Sequence, residues 1–192
     1  MNIKVFSRTT LKTFLEGCIK HPTWNATDFD YTYPPKPSLV EDINPDKCLF
    51  ISINNYSGAY FEQDEKGLEL SPVPDKYKDN TCILHFDDVT EGCIDTRHVP
   101  YKVFNKNMAK QIVEFLKNKL NDNIECIVVH CTAGISRSGA VGTVLNEYYN
   151  KFLEDNPEDF HKFEYSGHER VLDPNPTVKR YLRRELGMSY KR

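Results

Sequence analysis

The chain has no run of the roughly 18 to 20 uninterrupted apolar residues that a membrane-spanning helix requires, which excludes a helical span and leaves no membrane partner to expect. It has no Cys-x-x-Cys and no His-x-x-x-His, so no two ligands have the close spacing of a zinc site, and no metal or other cofactor is expected. Neither sign of charge dominates. A net charge of -3 over 192 residues gives no overall attraction for nucleic acid or an anionic lipid surface. Internal repeats and low-complexity tracts are missing too, which sets aside solenoids and disordered arrays. The start, Met1-Asn2-Ile3-Lys4-Val5, lacks the long apolar core of a secretion signal, so the expected compartment is the cytoplasm.

What is present is the make-up of an ordinary globular domain, 39% apolar and 28% charged, and one domain spanning 1–192 is expected, monomeric by default. The six cysteines are scattered, and a chain of this size does not need disulfide staples, so reduced thiols are expected. Basic residues gather at the C-terminus: Lys179, Arg180, Arg183, Arg184, Lys191 and Arg192 stand against Glu185 alone. They suit the negative pole of a helix end; a docking surface for an acidic partner is the second reading.

Four short apolar runs read as strands: Ile3 to Phe6, Leu49 to Ile53, Cys82 to Phe86 and Glu125 to His130. Helical spacing runs through Thr10 to Ile19, Asn105 to Leu120, Ser138 to Phe152 and Thr177 to Leu186. In the third of these, Val141, Val144, Leu145, Tyr148 and Phe152 fall on one face. Alternating strands and helices imply an α/β fold, a central, mostly parallel sheet flanked by helices. The stretches His21 to Pro45, Phe61 to Asn80 and Glu154 to Pro176 are rich in proline and charge and read as long loops, the walls of a cleft or insertions.

One segment carries chemistry. His130-Cys131-Thr132-Ala133-Gly134-Ile135-Ser136-Arg137-Ser138-Gly139 follows directly on the apolar run Ile127-Val128-Val129 and leads into a helix. A loop of this form turns the backbone N–H groups of Thr132, Ala133, Gly134, Ile135, Ser136 and Arg137 inward, and the helix pole adds its field, so the segment suits a phosphate dianion. Gly134 allows a tight turn, and Gly139 is expected to let the helix approach the sheet. The field that holds an anion also favours the nucleophilic thiolate, which makes Cys131 the candidate nucleophile. Arg137 closes the loop and can meet two phosphate oxygens as a planar fork, which a lysine cannot.

A leaving alkoxide or phenoxide needs a proton, and a positioned carboxylic acid supplies it. The strand Leu84-His85-Phe86 ends in Asp87-Asp88; Asp88, farther past the strand end, is the first choice, with Asp87 and Asp95 as alternatives. The Ser138 hydroxyl can reach the Cys131 sulfur, Ser136 shapes the loop, and the His130 imidazole is expected to bond the loop backbone and orient Cys131. Cys126 and Cys131 fall on opposite faces of one strand, whereas Cys48 or Cys82 on neighbouring strands is a candidate for a protective disulfide with Cys131 under oxidation.

The run His130-Cys131-x5-Arg137-Ser138-Gly139 resembles the signature loop of the cysteine-dependent protein tyrosine phosphatase superfamily, and Cys82 to Phe152 resembles its compact dual-specificity branch. The resemblance implies that Asp88 is the general acid, Cys131 the nucleophile, Arg137 the phosphate clamp and Ser138 the hydroxyl that assists hydrolysis of a cysteinyl phosphate. It also implies a phosphorylated protein as substrate, phosphotyrosine with phosphoserine or phosphothreonine in addition. No Trp-Pro-Asp triplet is present, and the interval from Asp88 to Cys131 is longer than in a minimal dual-specificity enzyme, with Thr90 to Val99 as the extra residues. Asp173-Pro174, similar to the acid of low-molecular-weight phosphatases, reads more simply as a turn before the last helix. Phosphoinositide or RNA 5'-triphosphate hydrolysis would be helped by loop lysines, and Thr132 to Ser136 has none. A pseudophosphatase that binds phosphate without cleaving it would be expected to lack one of the three catalytic groups.

Overall fold

The computed structural model describes residues 1–16, 43–57, 62–92, 101–150, 162–165 and 168–188. Its centre is a four-stranded, all-parallel sheet, with helices completing an α/β fold. The strands are β1 (Asn2–Ser7), β2 (Cys48–Asn54), β3 (Thr81–His85) and β4 (Cys126–Cys131), in the spatial order β1-β4-β2-β3. The register pairs Ser7 of β1 with Cys131 and Cys48 of β2 with Cys126, so β4 runs between two parallel neighbours. All seven residues of β2 and all six of β4 are buried, as expected of strands covered on both faces.

The helices are α1 (Arg8–Glu16), α2 (Lys106–Lys119), α3 (Arg137–Asn150) and α4 (Pro176–Glu185). One face of the sheet presents Leu49, Ile51, Ile53, Ile127 and Val129 to α2, α3 and α4; the other presents Phe50, Cys126 and Val128 with Phe6 to Leu11 and Leu15 of α1. Period-2 alternation along β2 and β4 thus divides the core in two. Asn105 caps α2, its side chain accepting from Asn107 and Met108 N–H at 3.0 and 3.3 Å. No helix among the described residues is long and apolar enough to cross a membrane.

Three expectations change. The segment Glu154 to Pro176 is not wholly loop, because Lys162–Tyr165 (β5) and His168–Val171 (β6) pair antiparallel as a separate two-stranded sheet. The first part of α3 is buried all round, from Arg137 through Leu145, while Tyr148 is exposed; the helix lies between β1 and β4 on one side and α4 on the other, so no single apolar stripe is needed. The C-terminal arginines are opposed by distant carboxylates: Arg180 pairs with Glu91 and Arg183 with Glu147. Of Phe61 to Asn80, the described residues 62–80 hold an isolated bridge between Gln63 and Glu69 and a short 3-10 turn at Asp75–Asn80. Most of His21 to Pro45 lies outside the described residues, as do Asp95, Phe152 and most of Thr90 to Val99.

Candidate active site

Parallel strands deliver their carboxyl ends to one edge of the sheet, where open α/β folds place their ligands. Here β4 ends in Cys131, β1 in Ser7, β2 in Asn54, and β3 leads through Phe86 into Asp87-Asp88. The loop Thr132 to Ser136 bridges β4 to the first residue of α3, Arg137. Gly134 is the residue that permits this bridge: its φ is +75°, and a Cβ placed there would lie 2.6 Å from Ser7 N and 2.8 Å from Phe6 C, both rigid backbone. The turn therefore packs directly on the end of β1. Gly139, by contrast, would present a Cβ to the Leu172 side chain at 3.4 Å, an ordinary contact. Its expected approach is to the residue following β6 and not to the sheet.

Cys131 is buried, and its sulfur lies 3.1 Å from Ser138 Oγ and 3.3 Å from the Gly134 N–H that points at it. Arg137 is also buried. Its Nη1 donates to Phe86 O at 2.8 Å and its Nη2 to Thr132 Oγ1 at 3.1 Å, while Nε is buried without a hydrogen-bond partner. Among the described residues no carboxylate pairs with this guanidinium. The two arginine bonds tie the loop to the strand end that carries the aspartates.

Asp87 and Asp88 have opposite surroundings. Asp87 is buried, and its carboxylate accepts three backbone N–H groups: Tyr56 and Ser57 on Oδ1 at 3.2 and 3.0 Å, and Lys102 on Oδ2 at 2.9 Å. It laces the exit of β2 to residue 102. The Lys102 ammonium stands 4.7 Å over the exposed Tyr56 ring, so this lacing also fixes an aromatic rim at the same edge. Asp88 is exposed and accepts at Oδ1 from Ser136 Oγ at 2.8 Å and Asn175 Nδ2 at 3.0 Å. Ser136 therefore does more than shape the loop; it links it to Asp88. Asp173 is exposed, with no bond to the loop among the described residues.

His130 differs from expectation. Its Nε2 bonds Ser52 Oγ on β2 at 2.7 Å and not the loop, and its Nδ1 is buried without a hydrogen-bond partner. Burial first, then the charges of Arg8 and Arg137, lower its pKa to about 3, outweighing a backbone contact with Cys131. The imidazole is thus a neutral wedge under the loop. Beside it runs a polar network with no counterpart in the sequence motif. Arg8 Nη1 donates to Asn54 Oδ1 at 3.2 Å and to Glu69 Oε1 at 2.9 Å; Glu69 Oε2 accepts from Asn55 N at 3.0 Å; Asn55 Nδ2 donates to Thr132 Oγ1 at 3.4 Å. Arg8 N also donates to Thr132 O at 3.2 Å, so the first residue of α1 and the residue after β2 hold the first residue of the loop, and Glu69 holds both of them.

The disulfide expectation fails on register. Cys48 stands beside Cys126, at the amino ends of the strands, whereas Cys131 is at the carboxyl end of β4. Cys82 is on β3, where it pairs with Ile51 of β2, two strands away from β4. Burial pushes the Cys82 thiol up to about 12. No family model, curated protein or solved structure matches this chain.

Proposed function

We propose that the protein is a phosphoprotein phosphatase of the cysteine-dependent tyrosine phosphatase kind, with a dual-specificity-like site that hydrolyses phosphotyrosine and also phosphoserine or phosphothreonine. The observation that carries this reading is the Arg137 guanidinium, buried at the N-terminus of α3 and bonded to Thr132, the residue after Cys131, with Nε unpartnered and, among the described residues, no carboxylate paired with it. A buried cation without a counter-charge is costly, and an anion reaching the loop supplies that charge. A phosphate dianion fits the cradle: Nε and the spare Nη2 hydrogen form the fork, and the loop and helix amides face the remaining oxygens.

The chemistry follows from the neighbours. The Cys131 sulfur attacks phosphorus; as the S–P bond forms, the bond from phosphorus to the leaving oxygen breaks, and that oxygen takes a proton from Asp88. In the second step water attacks the cysteinyl phosphate and gives its proton to Asp88. The S–P bond breaks, the Ser138 hydroxyl stabilises the departing sulfur at 3.1 Å, and inorganic phosphate is released. Asp88 is favoured as the acid because it is exposed and bonded to the loop, while Asp87 has both oxygens committed to backbone amides. The exposed Tyr56 ring offers an aryl substrate an apolar rim, which favours phosphoprotein over polyphosphorylated lipid or RNA. A reducing, cytoplasmic setting would keep Cys131 a thiol.

The test is hydrolysis of para-nitrophenyl phosphate against pH by the wild type, Cys131→Ser and Asp88→Ala. Activity in the wild type, loss in the serine variant, and a drop of about 100-fold or more in Asp88→Ala on poor leaving groups are expected. A wild type that binds a phosphotyrosine peptide without cleaving it would instead make the site a phosphate-reading module.

A further inference from the structure

We infer that Asn175 is a positioning residue that holds Asp88 over the phosphate loop, and that helix α4 is the dock for the acid-bearing segment. This rests on Asp88 acting as the general acid. An exposed carboxylate past a strand end has free rotamers unless something fixes it. Asp88 is fixed at one oxygen only: Oδ1 takes Ser136 Oγ and Asn175 Nδ2, and Oδ2 takes no hydrogen bond among the described residues. One oxygen is anchored and the other is left to carry the proton.

Asn175 commits all its polar groups to this junction. Its backbone N–H donates to Ser136 O at 3.2 Å. Its carboxamide oxygen caps α4, accepting from Thr177 and Val178 N–H at 3.0 and 3.2 Å. Its Nδ2 donates to Asp88 Oδ1 at 3.0 Å and to Val89 O at 3.4 Å. The cap sets the orientation of the amide, since only its oxygen can accept from the helix, and so directs the NH2 group at the acid segment. Asn175 is 4% exposed, so these bonds are shielded from competing water. The same helix grips the segment further along. Thr177 Oγ1 accepts from Glu91 N at 3.3 Å, and the Glu91 carboxylate takes Tyr181 OH and Arg180, which together hold its pKa below the usual carboxylate range.

Capping and positioning separate in Asn175→Asp. Aspartate caps a helix as well as asparagine does, so α4 and the melting temperature are expected to hold, but an oxygen replaces the donor facing Asp88. Asn175→Ser also keeps a cap, without reach and without added charge. In both variants kcat for phenyl phosphate is expected to fall by about tenfold or more, while that for 2,4-dinitrophenyl phosphate, whose leaving group needs no proton, falls by less than about threefold. Wild-type dependence on leaving group in both variants would overturn the inference. So would equal losses on both substrates or failure of both variants to fold, either of which would reduce Asn175 to a structural cap. A wild type inactive on both substrates would defeat the phosphatase reading itself, a distinguishable result.

Discussion

Strand β4 carries a cysteine at each end, and the two are buried alike: Cys126 is 2% exposed and Cys131 is 3% exposed. Burial therefore does not distinguish them; the company each keeps does. At the amino edge of the sheet Cys126 lies beside Cys48 in an apolar cluster with Phe6, Phe50 and Val128. There the Cys48 thiol bonds Asn44 O at 3.2 Å and shares a hydrogen bond with Cys126, which raises the pKa of Cys48 and lowers that of Cys126. At the carboxyl edge Cys131 meets the Gly134 N–H and the Ser138 hydroxyl, and it leads into a loop that ends at the buried Arg137, the first residue of α3. One sheet thus holds a thiol packed in an apolar cluster and a candidate nucleophile on the same strand, because parallel strands send all their loops of one kind to one edge.

The largest effect expected of this comparison is on turnover. Replacing Cys131 by serine is expected to lower kcat by about ten-thousandfold or more, since a hydroxyl is far less nucleophilic than a thiolate. Cys126→Ser is expected to change kcat by less than about twofold, with a modest loss of stability from the altered packing. Comparable losses in both would mean that the two edges are not functionally distinct. The next effect is on stability. Removing the Glu69 carboxylate with Glu69→Ala leaves Arg8 buried beside Asn54 without its 2.9 Å ion pair, a change that costs about 3 to 5 kcal/mol. Urea denaturation should show that loss, whereas Glu114→Ala, which breaks an exposed pair with Lys110 on α2, should cost about 1 kcal/mol or less. Equal midpoints for the two variants would show that the network under the loop carries no special weight.

The edge was legible in the sequence where the chemistry is local. Cys131, Gly134, Arg137 and Ser138 are close in sequence, and the four strands and four helices were readable from period and length to within a few residues. Asp88 over Asp87 could be chosen from distance past the strand end; that Asp87 is buried with both oxygens bonded to backbone N–H groups could not be read there. What was not legible comes from far away in the chain. Arg8, Glu69 and Asn175 meet their partners across long intervals, 46 positions for Arg8–Asn54, 61 for Arg8–Glu69 and 87 for Asn175–Asp88, and no spacing rule connects them. Asn175 left one usable trace: Asn-Pro before a helical pattern signals a cap, and a capping side chain has an amide N–H2 left to donate. The β5–β6 pair was hidden by its shortness and charge: Lys162–Tyr165 alternates polar and apolar residues but is only 4 residues long, and His168–Val171 opens with three polar residues in a row.

The smallest effect concerns protons. His130 is buried under the loop with a pKa lowered to about 3 from an ordinary 6.5, burial being the first cause and the Arg8 charge the second. Between those values the unfolded chain binds a proton that the folded chain refuses, so stability rises with pH across that window. The contribution is fully present above about pH 6.5 and is lost progressively as pH falls toward 3. One such group gives a slope of about 1.4 kcal/mol per pH unit. Urea midpoints of the wild type at pH 7, 6, 5 and 4 should fall more steeply than those of His130→Gln by about that slope, since glutamine cannot titrate. Cys126→Ser should parallel the wild type, because it leaves His130 in place. Parallel curves for wild type and His130→Gln would mean that His130 takes up its proton without opening the loop, and the carboxyl edge would then be no more acid-sensitive than the amino edge.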